Sequence, residues 1–258
     1  MGQEQIRYPR YEELKDKNKT VRRAILGGSG ILDRKRFLLS HSPEVRKKLA
    51  VLQEAVRELK TRYPEVVSLG IFGSHTKGYA NTESDIDGHL FVEDDRLSMI
   101  LRQPYSGAYQ TEGLGDLTRE TRRYGAILRD AIKQRGLCMS EEELRDVFVD
   151  FISTNSLQDD LSNGRWDNLT KFFLLDIGGR ERIKMYRKEI IDFLSSGPKD
   201  SEAVWRSIMA DLEDFERPYS ADSSRKQKPK SVYPQTLPDA RRYFLGEKTS
   251  APQPNQKH

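Results

Sequence analysis

Residues 69–92 read LGIFGSHTKGYANTESDIDGHLFV, a polar, glycine-containing segment between two apolar runs. The run from Val66 to Phe72 predicts a short buried strand that stops at Gly73, and Ile86 to Val92 predict a second strand. The connection between them is polar and contains Gly78. The sequence therefore predicts two strands joined by a loop, with side chains suited to chemistry at both ends of the loop.

Two carboxylates open the second strand. Asp85 and Asp87 are two residues apart, so their side chains project from the same face of a strand. Carboxylates on one face can share hard divalent cations, which prefer oxygen ligands. Two such ions about 3.5–4 Å apart can hold both the attacking and the leaving oxygens of a phosphoryl transfer. Asp85 and Asp87 are therefore candidate catalytic and metal-binding residues.

The residues that end the first strand suit a phosphate. Gly73 allows the backbone to approach a ligand closely. Ser74 offers a hydroxyl and backbone N–H groups to an anion at the start of a helical turn. Lys77 is a further candidate for phosphate contact, with simple surface exposure as the alternative. Gly73, Ser74 and Lys77 are thus the predicted nucleotide-binding residues, next to the predicted metal site.

The stretch resembles the signature of the DNA polymerase β-type nucleotidyltransferase superfamily: a hydrophobic residue and Gly-Ser, a spacer, and then Asp-hydrophobic-Asp. Gly73, Ser74, Gly78, Asp85 and Asp87 fall where that pattern places them. The resemblance implies an α/β (α+β) core with a small mixed sheet, an N-terminal helix and a C-terminal helical region. It also implies transfer of a nucleoside monophosphate from an NTP to a hydroxyl, with release of pyrophosphate. Two Mg²⁺ ions, or Mn²⁺ in their place, are the implied cofactors.

The resemblance further implies a third carboxylate on a later strand. Asp146 to Ser153, DVFVDFIS, predict that strand, with Asp146, Phe148, Asp150 and Ile152 on one face. Asp150 would have apolar neighbours, and a buried charge requires a partner. A metal ion supplies one, and a salt bridge is the alternative. We predict Asp150 as the third catalytic and metal-binding residue, with Asp146 or a glutamate of 141–143 as the alternatives.

The sequence predicts that the whole chain divides into four segments. Residues 1–41 form an extension, 42–156 the nucleotidyltransferase domain, 157–218 a helical region, and 219–258 a basic flexible tail. An amphipathic helix is expected from Ser42 to Pro64, with its apolar stripe at Val45, Leu49, Leu52, Val56 and Leu59. Residues 93–115 are expected to be irregular, and further helices are expected at 117–135, 166–176, 181–194 and 201–215. Arg102, Tyr105 and Tyr109 are weak candidates for covering a nucleotide, and His89 on the Asp87 face is expected to be a polar neighbour of the site rather than a ligand. Pro238 to Phe244 are compatible with one helical turn. We see no internal repeat.

Composition narrows the partners. The chain has no apolar run long enough to span a membrane, no signal sequence, and Cys138 as its single cysteine, which together predict a cytoplasmic protein without disulfides. Residues 220–258 contain eight basic and three acidic residues, so they account for the net charge of +4 of the whole chain. The tail thus gives some support to RNA as the acceptor. A small molecule, RNA and a protein remain open as acceptors, and a non-catalytic nucleotide-binding or antitoxin-like module is the alternative function.

Overall fold

The computed structural model of the 258-residue chain describes residues 43–73, 75, 84–102, 110–137, 139, 144, 146–197, 200–215 and 233–247. The predicted N-terminal extension lies outside these residues, as do Ser74, Lys77 and Gly78 of the predicted phosphate loop. The glutamates at 141–143 and most of the predicted tail also lie outside them.

The described residues form an α/β fold in which helices surround a small sheet. The α-helices are α1 (Pro43–Arg62), α2 (Asp95–Arg102), α3 (Gln110–Lys133), α4 (Thr154–Ser162), α5 (Arg180–Ser196), α6 (Ser201–Phe215) and α7 (Leu237–Ala240). A 3₁₀-helix spans Trp166–Phe173, and a π-helical turn spans Arg241–Leu245. The strands are β1 (Val66–Ile71), β2 (Gly88–Glu93), β3 (Val147–Ile152) and β4 (Leu175–Ile177). None of the described helices is both long and apolar enough to cross a membrane.

The sheet is mixed, as expected, with the strand order β3-β2-β1-β4. β1 pairs antiparallel with β2 and with β4, whereas β2 and β3 run parallel. A parallel pair requires a crossover connection, and here α2 and α3 lie between β2 and β3 in the chain. The register of β3 against β2 determines which acidic side chains meet.

Each face of the sheet buries its own apolar cluster. α1, α2 and α3 pack on the face that carries Leu69, Leu90 and Phe151. The helices after β3 pack on the opposite face, which carries Phe91 and Ile152. The predicted helical region is therefore the second layer of the fold, and the boundary expected between residues 156 and 157 falls inside α4.

Residues 93–115, expected to be irregular, contain α2 and the start of α3. α2 begins where the carboxylate of Asp94 accepts a hydrogen bond from the backbone N–H of Leu97 at 2.8 Å. This is the side-chain cap that an aspartate before a helix provides. The helix ends at Arg102, whose guanidinium forms a fully buried ion pair with Asp160 of α4 at 2.8 Å. A short helix whose ends are held by a side-chain cap and by a partner distant in sequence shows only a weak helical pattern in its own residues.

The helix expected over 166–176 is a 3₁₀-helix followed by β4. Arg187 of α5 is buried and donates hydrogen bonds to the carbonyl oxygens of Phe172 at 2.6 Å and Leu174 at 2.7 Å. These bonds satisfy carbonyls where the helix ends, and the chain then pairs with β1. A three-residue strand is too short to show a periodicity in sequence, so the apolar run was interpreted as one helix.

Residues 233–247, which the sequence analysis assigns to a flexible tail, belong to the core. Thr236 caps α7, and the chain continues through the π-helical turn to Leu245. Phe244 packs edge-to-face on Phe173 with ring centroids 4.9 Å apart, and on Trp205 at 6.1 Å. The compatibility of 238–244 with a helical turn is confirmed. The neighbouring residues in the sequence are polar, so the buried position of Phe244 becomes apparent only from its tertiary contacts.

Phe244→Ala should destabilise the protein by about 3–5 kcal/mol, the loss that truncating a buried aromatic side chain gives. Phe244 is only 3% exposed. Urea unfolding measures the change, with Arg242→Ala as the control, since Arg242 lies in the same turn with its side chain 57% exposed. Equal, small losses in the two variants would contradict the docking of 233–247.

Candidate active site

The structure brings three carboxylates together where β2 and β3 begin. Asp85, Asp87 and Asp146 each offer an oxygen, and these oxygens lie within 4.8 Å of one another. Among the residues that the structure describes, they are the one group able to share a metal ion. Three hard oxygen donors at this spacing fit Mg²⁺ or Mn²⁺, and a cation would offset the repulsion among three negative charges.

Backbone hydrogen bonds fix the two segments that carry these carboxylates. The N–H of Gly88 donates to the carbonyl of Asp146 at 3.0 Å, and the N–H of Phe72 donates to the carbonyl of Asp87 at 3.0 Å. The register pairs Gly88 with Val147, so Asp87 lies beside Asp146, one position earlier. The two predicted ligands Asp85 and Asp87 thus meet a third from the start of β3.

Gly73 lies directly against the carboxylate of Asp87. Its φ of +70° is in the left-handed region, and a Cβ atom there would lie 1.7 Å from Asp87 Oδ2. Only glycine fits this turn. Gly73 is predicted to leave space for a ligand, and the structure shows that it also leaves space for the carboxylate of Asp87.

A lysine of α1 contributes to the same site and was missed from sequence. Lys48 is buried, and its ammonium group donates a hydrogen bond to the backbone carbonyl of Ser84, the residue before Asp85. This contact ties the start of the acidic segment to the helix that covers the opposite face of the sheet. The signal in the sequence was a lysine beside the apolar stripe of an amphipathic helix, which more often has its charged end in water.

Asp150 lies outside the carboxylate group. The register places it beside Phe91, four residues beyond Asp146, which is about 13 Å along a strand at 3.3 Å per residue. Its carboxylate is buried and contacts Lys171 Nζ at 2.6 Å and His89 Nδ1 at 3.2 Å. The salt bridge that was the alternative explanation for Asp150 is therefore present, and Asp146 occupies the place expected for Asp150.

The surroundings of Asp150 keep it ionised. Burial alone would raise its pKa, but Lys171 and His89 outweigh burial and lower the pKa to about 2. A lowered carboxyl pKa stabilises the fold above the ordinary aspartate range, and this contribution is lost as pH falls toward 2. The pair joins the 3₁₀-helix to β3 and so fixes the helical layer on the sheet beside the site.

Lys171→Met should lower the free energy of unfolding at pH 7 by about 3 kcal/mol, because it leaves a buried carboxylate without its main partner. The difference from the wild type should narrow as pH falls toward 2, where Asp150 becomes protonated in both proteins. Urea unfolding at several pH values measures this. Lys188→Met is the matched control, since Lys188 pairs with Asp192 in an exposed i,i+4 bridge worth about 0.5 kcal/mol or less. Similar losses in the two variants would contradict the buried pair.

The remaining candidates are distributed as follows. His89 lies on the Asp87 face and contacts Asp150, as a polar neighbour. Arg102, considered as a cover for a nucleotide, is instead buried against Asp160. Ser74 and Lys77 lie outside the described residues, so their phosphate contacts remain predictions.

A small mixed sheet with a carboxylate triad beside a glycine turn defines a polymerase β-like nucleotidyltransferase core. Comparison with protein families agrees with this class. The model of the family described as "Nucleotidyltransferase domain" matches residues 52–230, more than half of the chain, and the protein belongs to this family. No curated protein and no solved structure matches the chain significantly.

Proposed function

We propose that the protein is a metal-dependent enzyme that transfers a nucleoside monophosphate from an NTP to a hydroxyl group. The observation that carries the proposal is the group of Asp85, Asp87 and Asp146, whose oxygens lie within 4.8 Å of one another beside Gly73. Membership of the nucleotidyltransferase family supports the reaction type. The acceptor oxygen forms a bond to the α-phosphorus, the bond from that phosphorus to the bridging oxygen breaks, and pyrophosphate leaves as the hydroxyl loses its proton.

The three carboxylates have different places in this proposal. Asp85 and Asp87 would hold both Mg²⁺ ions, and Asp146, from the neighbouring strand, would hold the ion on the acceptor side. The bound ions would neutralise charge on the triphosphate and lower the pKa of the acceptor hydroxyl. Gly73, Ser74 and Lys77 would contact the β- and γ-phosphates, the first by its backbone.

The position of Asp150 bears on the alternative function. A third strand whose Asp150 points away from Asp85 and Asp87 would favour a non-catalytic nucleotide-binding module, and Asp150 does lie away from them. Against this alternative, Asp146, the residue before β3, brings a third carboxylate to the other two. We therefore favour the catalytic reading over the regulatory module.

The reaction is tested with the full chain, Mg²⁺ and each α-labelled NTP in turn, against a cell extract separated into RNA, protein and small molecules. Label in one fraction, abolished by EDTA, supports the proposal and identifies the acceptor class. The same incubation with γ-labelled NTP should label only pyrophosphate. Transfer of the γ-label instead would show a kinase reaction and would overturn the assignment.

A further inference from the structure

A row of aromatic rings borders the carboxylate triad on the same face of the sheet. His89 of β2 lies between Phe72 and Phe148, with ring centroids 5.9 Å and 5.8 Å away. Phe148 follows Asp146 by two residues, so both side chains project from the same face, about 7 Å apart along the strand. We refer to Phe72, His89 and Phe148 as the aromatic row.

Phe148 is exposed although it lies in a strand of the sheet, two residues after Asp146 of the carboxylate triad. Its exposed fraction is 54%, whereas Phe91 on the same face of β2 and Phe151 on the opposite face of β3 are buried. Single exposed apolar residues are common and need no explanation. Here, however, the ring of Phe148 packs against His89 with an interplanar angle of 36° and lies two residues from Asp146, so it offers an aromatic surface next to the predicted reaction centre.

Buried contacts fix His89, the central ring of the aromatic row. His89 Nδ1 contacts Asp150 at 3.2 Å, and the carboxylate of Asp150 is in turn fixed by Lys171 at 2.6 Å. His89 also stacks on the buried ring of Phe91, with a centroid distance of 6.1 Å and an interplanar angle of 16°. An imidazole fixed in this way gives a planar ligand a pre-organised surface, which lowers the entropy lost on binding.

Phe72 of the aromatic row precedes Gly73, but the strand order separates Phe148, the exposed end of the row, from the phosphate-binding turn. Gly73 follows β1, the acidic pair precedes β2, and Phe148 belongs to β3, the edge strand on the other side of β2. The triphosphate is thus expected on one side of Asp87, and Phe148 lies on the other side with Asp146. The exposed end of the aromatic row is therefore on the acceptor side of the site.

We propose that the aromatic row stacks against a nucleobase of the acceptor, so that the acceptor is a nucleotide or the end of an oligonucleotide. This inference rests on the proposed function, and it selects among the acceptor classes that the reaction type leaves open. Aromatic side chains bind bases by their π-faces, with little dependence on sequence. The basic residues of 220–258, which account for the net charge of the chain, favour a polyanionic acceptor over a polycationic one such as an aminoglycoside.

The test measures binding without NTP, so that base recognition and nucleotidyl transfer are assessed separately. The probe is a fluorescent single-stranded RNA oligonucleotide, compared by anisotropy with the same oligonucleotide carrying an abasic residue at its 3′ end. The wild type should bind the intact probe about 5- to 150-fold more tightly, the range expected for stacking one base. Phe148→Leu should reduce this ratio toward one, and Phe148→Tyr should retain it. Met185→Ala, which removes a side chain 63% exposed on α5, should leave the ratio unchanged.

Competition distinguishes the two sources of the base. A mononucleotide that competes as well as the unlabelled oligonucleotide identifies a small nucleotide acceptor, and competition by the oligonucleotide alone identifies the end of a nucleic acid. Either result supports the stacking surface. The inference is overturned if the wild type does not distinguish intact from abasic RNA, or binds neither. It is also overturned if Phe148→Leu weakens both probes equally. Transfer of α-label to a sugar or a protein would then remain compatible with the proposed reaction.

Discussion

Asp87→Asn is expected to lower nucleotidyl transfer at least about a thousandfold while the protein remains folded. Asp87 lies beside both Asp85 and Asp146, and its neutral amide could no longer share a cation with them. Metal coordination contributes several kcal/mol of transition-state stabilisation, and each 1.36 kcal/mol is a factor of ten in rate. The readout is the rate of pyrophosphate release from Mg²⁺-NTP in the presence of the acceptor fraction that the labelling experiment identifies.

Stability should not decrease in this variant, because removing one of three adjacent negative charges reduces their repulsion. Thermal unfolding followed by circular dichroism checks this. Asp130→Asn is the control, since Asp130 is exposed on α3 and should change neither rate nor stability. Full activity in Asp87→Asn would contradict the assignment of the acidic pair to catalysis.

Asp146→Asn and Asp150→Asn are expected to have opposite effects. Asp146→Asn removes a carboxylate of the triad and should lower transfer at least about a hundredfold, the equivalent of about 3 kcal/mol of transition-state stabilisation. Its stability should stay close to that of the wild type. Asp150→Asn leaves the triad intact, so its activity should stay within about tenfold of the wild type.

Asp150→Asn should instead lower the free energy of unfolding, because Lys171 loses its partner in a buried ion pair. We expect a loss of about 3 kcal/mol in urea unfolding. The two variants make the same chemical change on the same face of one strand, so each serves as the control for the other. The reverse pattern, with Asp150→Asn inactive and Asp146→Asn active, would restore Asp150 as the third ligand.

These two aspartates show which part of the site was predictable from sequence. Alternation along β3 correctly predicts that Asp146 and Asp150 share a face, because the side-chain period of a strand is two residues. The choice between them depends on how β3 aligns with β2, and both alignments keep the same face buried. The observed alignment pairs Gly88 with Val147 and includes the hydrogen bond from the N–H of Gly88 to the carbonyl of Asp146, and sequence periodicity does not encode this long-range pairing.

The fold shows the same difference between local patterns, which the sequence predicts, and long-range contacts, which it does not. The motif around Gly73 and Asp87 is local, and it predicted the strand–loop–strand unit and the family without reference to the rest of the chain. The segment 233–247 was misjudged because its contribution depends on Phe244 meeting Phe173 and Trp205. β4 was missed for a similar reason, since its three residues become a strand only through pairing with β1.

In the proposed reaction, Asp85, Asp87 and Asp146 together bind the divalent cations. The most direct measurement is the number of Mn²⁺ ions bound per chain in the presence of a non-hydrolysable NTP analogue, determined by electron paramagnetic resonance for the wild type, Asp146→Asn and Asp150→Asn. We predict two ions for the wild type and for Asp150→Asn, and one for Asp146→Asn. Two ions in Asp146→Asn together with a loss in Asp150→Asn, or no bound ion in the wild type, would contradict the account.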